Sequence, residues 1–232
     1  MPLHGVPVDL DLTAAKADER KNLLGRLLPG RVYVTDRGYA GFVLLQAILD
    51  LGSWFVCRLR DHSVYEVLEE RPLTTEAQSA GVLCDQIVWL GGKDHRRDLK
   101  QPVRILQIAC KPHYKRGEHG GDGGPAQGKY LLIATNLLEL PAGVVALIYR
   151  QRWTIELFFR FFKHILGCRH LLSHRPNGIQ IQVYAPGNSA STPARNGITT
   201  SPRSIAAGPR GGIWNTSAAI GRWRITATGK WM

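Results

Sequence analysis

Val6, Val8, Leu10 and Leu12 alternate with Pro7, Asp9 and Asp11, the two-residue period of a half-buried strand. Thr13 follows as a candidate cap, and the spacing predicts a helix from Ala14 to Leu28 that Pro29-Gly30 stops. Arg31-Val32-Tyr33-Val34-Thr35 reads as a short β-branched strand running into Asp36. Gly38 turns the chain toward a second helix, about Gly41 to Leu51, and Trp54 to Leu59 makes another strand. This β-α-β-α-β succession predicts an α/β sheet whose strands are buried by helices.

Between about residues 61 and 136 the pattern changes. Strand-like runs at Ser63–Leu68, Gln86–Leu90, Val103–Ala109 and Tyr130–Ala134 are separated by polar turns, with no long helical period among them. They predict a β-rich insertion. Glycines 117, 120, 121, 123, 124 and 128 crowd the stretch from Lys115 to Gly128. That stretch lacks the GxxxxGK[ST] spacing of a phosphate-binding loop and reads as a flexible hairpin tip. His95, His113 and His119 lie in these loops without partnered spacing and read as solvated.

Tyr149 to Lys163 reads YRQRWTIELFFRFFK, with Pro141 upstream as a starting point for a helix. At about 100° per residue, Tyr149, Arg152, Glu156, Arg160 and Lys163 share an arc of roughly 80°. Leu147, Ile148, Ile155, Phe158, Phe159, Phe162 and Leu166 fall on the opposite side, which predicts docking by an aromatic-aliphatic face. Spacing alone also fits an ordinary amphipathic helix with an Arg152–Glu156 ion pair on its solvent side.

Composition narrows the class. With 232 residues and 44% hydrophobic content, the chain can bury a core, which excludes uniform disorder. No run of about eighteen uncharged apolar residues occurs, so no membrane partner is expected, and the N-terminus lacks a secretory pattern. Cys57, Cys84, Cys110 and Cys168 lie far apart without a CxxC pair. They read as reduced structural thiols of a cytoplasmic protein.

The formal net charge of +12 points to a polyanionic partner, but it is unevenly spread. Residues 185–232 hold Arg195, Arg203, Arg210, Arg222, Arg224 and Lys230 and no acid. The first 184 residues therefore keep 24 of the 30 basic residues against all 18 acids, a net of +6. The tail has no Leu, Val, Phe or Tyr and is rich in Gly, Pro, Ser, Thr and Ala, a composition that predicts disorder. It reads as a basic nucleic-acid-binding tail, as filler, or as sequence out of frame.

The pattern Tyr-x2-Arg-x3-Glu-x6-Lys, formed by Tyr149, Arg152, Glu156 and Lys163, resembles the signature of IS4-family DDE transposases. Upstream, Asp36-Arg37-Gly38-Tyr39 at a strand end resembles that family's D-x-G-F/Y motif around the second catalytic aspartate. The resemblance covers about residues 5–184. It implies an RNase H-like core with a mixed sheet, interrupted by the β-rich insertion at about 61–136. It further implies DNA transposition by metal-dependent strand cleavage and transfer. Asp36 and Glu156 would be catalytic ligands of two Mg²⁺ (or Mn²⁺) ions, and Tyr149, Arg152 and Lys163 would bind DNA. Arg160 lies outside the signature but close enough on the helix to add a phosphate contact. The implied partner is insertion-sequence DNA, bound by a homodimer, in the cytoplasm at the bacterial nucleoid.

The sequence departs from that family at both ends. Upstream of Asp36 the strand-borne acids are Asp9 and Asp11, and neither sits where the family places its first aspartate. The first ligand is therefore expected to be missing through N-terminal truncation. After Tyr184 the family continues with an apolar helix, whereas this chain turns Gly/Ser/Pro-rich, which suggests a frameshift. Two functional expectations follow: a strand-cutting and joining enzyme, or a catalytically inactive remnant that at most binds DNA.

Overall fold

A computed structural model describes residues 7–14, 18–92, 99–110, 130–164, 177–178, 181, 212–220 and 223–231. They divide into two compact units, one within residues 23–152 and one within 1–22 and 153–232. The glycine-rich stretch Lys115–Gly128, His95, His113, His119, Leu166, Cys168 and tail residues 185–211 lie outside the described residues.

The unit within 23–152 is built on six strands: β2 (Val32–Thr35), β3 (Trp54–Arg58), β4 (Tyr65–Glu70), β5 (Val82–Leu90), β6 (Val103–Ala109) and β7 (Tyr130–Thr135). Their order across the sheet is β2-β3-β7-β6-β5-β4. β2 and β3 run parallel, with Val34 opposite Val56 and Thr35 opposite Cys57. A parallel pair needs a crossover, and α2 (Phe42–Asp50) supplies it, burying Leu44, Leu45 and Ile48. β7, β6, β5 and β4 follow as antiparallel neighbours, so the sheet is mixed, as the sequence predicts.

Phe55, Val56 and Cys57 are all fully buried. Successive strand residues point to opposite faces, so β3 is covered on both sides and forms the centre of the core. Where β7 ends, Asn136 replaces a strand neighbour: its Oδ1 accepts from Phe55 N at 2.8 Å and its Nδ2 donates to Ser53 O at 3.0 Å. β4 at the sheet edge is exposed along almost its whole length and carries Glu66, Glu69 and Glu70, charges that discourage edge-to-edge pairing.

Two short elements complete this unit. α3 (Thr75–Ser79) is capped by Thr74, whose hydroxyl accepts from Ala77 N at 3.2 Å. α4 (Ala142–Gln151) starts after Pro141 and packs closely on α3. At Gly143 a Cβ would meet Ala80 Cβ at 3.4 Å and Glu76 O at 3.5 Å, ordinary contact distances.

In the other unit, β1 (Pro7–Ala14) pairs antiparallel with β9 (Trp223–Trp231), which pairs with β8 (Gly212–Ile220). Residues 212–220 and 223–231 of the tail stand in these paired strands. The β-forming Ile213, Trp214, Thr216, Ile225, Thr226 and Thr228 lie in them, and only two residues separate the strands. The helix predicted from Ala14 is the shorter α1 (Glu19–Leu24), because Asp18 provides the cap, its Oδ1 accepting from Arg20 N at 3.0 Å. No helix among the described residues is long and apolar enough to cross a membrane.

Candidate functional site

Asp36 leaves the carboxyl end of β2 and caps the single 3₁₀ turn Arg37–Tyr39, its Oδ1 accepting from Gly38 N at 2.8 Å. The carboxyl ends of parallel strands are where open α/β sheets bind ligands. Position 38 has to be small, since a Cβ there would lie 3.0 Å from Asp36 Oδ1. Asp36 is thus half-buried with a fixed carboxylate.

Below it, on β3, the Cys57 Sγ lies 3.7 Å from Asp36 O. Complete burial pushes the Cys57 thiol up to about 12, and the Asp36 charge adds to that rise. Cys57 therefore stays a neutral packing group beside the Asp36 main-chain carbonyl.

The second group of polar side chains comes from the end of α4. The single helix expected over Tyr149–Lys163 is interrupted: α4 ends at Gln151, and α5 (Trp153–His164) begins after Arg152. Arg152 has φ −52 and ψ −31, and its N–H bonds Tyr149 O at 3.0 Å in a single i→i+3 turn. A helical projection therefore holds only within each segment.

Within α4 the buried face is Ala142, Val145, Ala146, Ile148 and Tyr149. Tyr149 was expected on the solvent side and is only 7% exposed, whereas Leu147, expected on the docking side, is 49% exposed. The reason is register: residues 142, 145, 146 and 149 follow the i, i+3, i+4, i+7 rule of one helical face, and residue 147 falls opposite them.

The Arg152 guanidinium carbon lies 5.8 Å from the centroid of the Tyr149 ring, within the range of a cation–π contact. Burial raises the Tyr149 phenol above its ordinary value, while Arg152 and then Arg58 pull it back down. Arg58 is the last residue of β3, at the same sheet end as Asp36. Its Nε is buried and has no hydrogen-bond partner among the described residues. Sequence reasoning passed over Arg58, although a signal existed: it ends the strand that runs parallel to the one ending at Asp36.

Asp36, Arg58, Tyr149 and Arg152 all belong to the unit within 23–152, where Cys57 borders both Asp36 and Tyr149. Glu156, Arg160 and Lys163 belong to α5 in the other unit. There they occupy one side of the helix by spacing, with Glu156 half-buried and Arg160 exposed. Of the residues expected to dock, Phe159 is buried.

Asp36 suits a hard divalent cation as one oxygen donor. Its Oδ1 is held by Gly38, and its other carboxylate oxygen accepts no hydrogen bond among the described residues. No group of three or more His, Cys, Asp and Glu side chains comes together among the described residues.

Residues 2–185 match the family described as "Transposase DDE domain". The chain belongs to that family. Two relatives agree with the assignment. The "Putative transposase y4zB" of Sinorhizobium fredii is 28% identical over 188 residues, 79% of this chain and 48% of that protein. The "Probable transposase for insertion sequence element IS5377" of Geobacillus stearothermophilus is 27% identical over 156 residues, 67% of this chain and 36% of that protein. This DDE domain thus spans about half or less of the relatives it matches. The matched region includes both the Asp36 strand end and the Tyr149–Lys163 segment.

Proposed function

We propose that this DDE domain, of the IS4 type and with an RNase H-like core, binds insertion-sequence DNA and takes part in its metal-dependent cleavage and strand transfer. The observation that carries this reading is Asp36, held at the carboxyl end of a strand parallel to its neighbour, in a chain that matches the DDE family. In this reading Asp36 and Glu156 hold Mg²⁺ or Mn²⁺. Bound divalent ions supply an activated water or 3′-hydroxyl and stabilise the leaving oxygen.

The residues of the chain do the rest. Arg152, Arg160 and Lys163 neutralise backbone phosphates and set the register of the duplex, contacts that position DNA without reading its sequence. Asp36 needs no reorganisation to accept a cation, because Gly38 already fixes one carboxylate oxygen. Cys57 keeps charge away from the floor of the site.

The test uses the purified chain, a labelled duplex carrying insertion-sequence ends, and Mg²⁺ or Mn²⁺. Strand cleavage that disappears in both Asp36→Ala and Glu156→Ala is the expected result for an enzyme. Binding without cleavage in any of these proteins favours the second reading, a catalytically inactive remnant. Absence of any salt-dependent DNA affinity would sink both readings.

A further inference from the structure

Tyr149 is part of the DNA-binding signature, yet it sits on the core-facing side of α4 beside Ala142, Val145, Ala146 and Ile148, with 7% of its surface exposed. A side chain so placed offers little to a duplex. It does, however, meet Arg152. Arg152 follows Tyr149 by three residues, its N–H bonding Tyr149 O at 3.0 Å, and its guanidinium carbon lies 5.8 Å from the Tyr149 ring centroid.

We infer that Tyr149 is a positioning residue: it holds the Arg152 guanidinium ready for a backbone phosphate and does not itself touch DNA. This rests on the reading of Arg152 as a phosphate contact. The physical gain is preorganisation. An arginine has a long flexible stem, and immobilising such a side chain on binding weakens affinity by roughly two- to ten-fold when nothing holds it beforehand. The ring of Tyr149 is locked by the core, so it can hold the cation in place before DNA arrives.

The experiment is fluorescence anisotropy with a short labelled DNA duplex over a series of salt concentrations, using Arg152→Ala, Tyr149→Phe, Tyr149→Leu and the doubles with Arg152→Ala. Arg152→Ala should lower the affinity and reduce the salt slope by about 0.9, the share of one released counterion. Tyr149→Leu should lower affinity roughly two- to ten-fold and shrink the slope in the same direction. Neither tyrosine variant should have any further effect once Arg152 is gone.

A phenol that contacts a phosphate directly predicts the opposite. The loss would then be the same with and without Arg152, and the slope would not move, because a neutral hydroxyl releases no counterion. That result overturns the inference, as does full affinity in both tyrosine variants. If Tyr149→Leu does not fold, judged by circular dichroism, the Tyr149→Phe cycle alone decides between coupled and additive losses. If Arg152→Ala leaves affinity and slope unchanged, the phosphate role of Arg152 itself is wrong, a failure distinct from that of Tyr149.

Discussion

Two arginines of the sheet unit show how differently one side chain can be used. Arg104, near the start of β6, is fully paired. Its Nε and Nη2 donate to the two oxygens of Asp85 at 2.8 and 2.6 Å. Its Nη1 donates to the carbonyls of Leu137, Leu138 and Leu140. Both partners of the ion pair are 4% exposed, and Arg71 donates to Leu138 O at 2.7 Å from the other side. The pair therefore ties β5 and β6 to the turn that launches α4. Arg58, at the end of β3, is half-buried and keeps a buried Nε with no hydrogen-bond partner among the described residues. A buried charge with every donor satisfied maintains the fold. The Arg58 Nε at the end of β3 has no such partner among the described residues.

The contrast breaks most visibly if the paired arginine is stranded. Asp85→Ala leaves the Arg104 charge buried without its partner and should cost about 3–5 kcal/mol, read as a fall in the urea midpoint of unfolding. Adding Arg104→Met should recover part of that loss. A change under about 1 kcal/mol would show that the pair does not hold the sheet.

Arg58→Met is the counterpart. It keeps the aliphatic stem and removes a donor that has no partner, so stability should stay within about 1 kcal/mol of the parent or rise. A loss as large as that of Asp85→Ala would erase the distinction between the two arginines.

Two glycines sharpen the comparison at smaller scale. Gly38→Ala sets a Cβ 3.0 Å from Asp36 Oδ1, so the carboxylate must move and the Gly38 N–H bond must lengthen. A thermal melt should show a loss of about 1 kcal/mol. Gly143→Ala meets Ala80 and Glu76 only at ordinary contact distances and should be neutral, or stabilising by up to about 1 kcal/mol through helix propensity.

The smallest effect is kinetic. The thiolate is the reactive form of cysteine, and a thiol pushed up to about 12 stays protonated at pH 8. Maleimide labelling of the folded protein should therefore reach the half-buried Cys84 and Cys110 well before Cys57. Rapid modification of Cys57 would mean that the floor beneath Asp36 is open.

Much of the sheet unit is legible as text. The alternation and β-branching of residues 31–35 and 54–59 locate β2 and β3 to within a residue or two, and Val103–Ala109 coincides with β6. The turn at Gly38 and the acid before it are equally plain. Less legible is the side chain of Tyr149. Its place on a helical wheel depends on treating residues 149–163 as one rod, and the turn at Arg152 between α4 and α5 breaks that premise. The burial of α4 was hidden for a related reason. The face that docks is set by the register of Ala142, Val145, Ala146 and Tyr149, and the bulkier Leu147 falls opposite it.

By itself, then, the sequence determined the order of the motifs and the positions of β2, β3 and β6, because those follow from local periodicity and motif spacing. It also carried the DDE resemblance that residues 2–185 bear out. Tertiary structure alone decided which polar groups are satisfied. Asp85 and Arg104 are 19 residues apart and become a bidentate pair only because β5 and β6 lie side by side. Arg58 comes beside Tyr149 across more than ninety residues of chain. Satisfaction of a buried charge depends on what surrounds it in space, and spacing along the chain has no term for that.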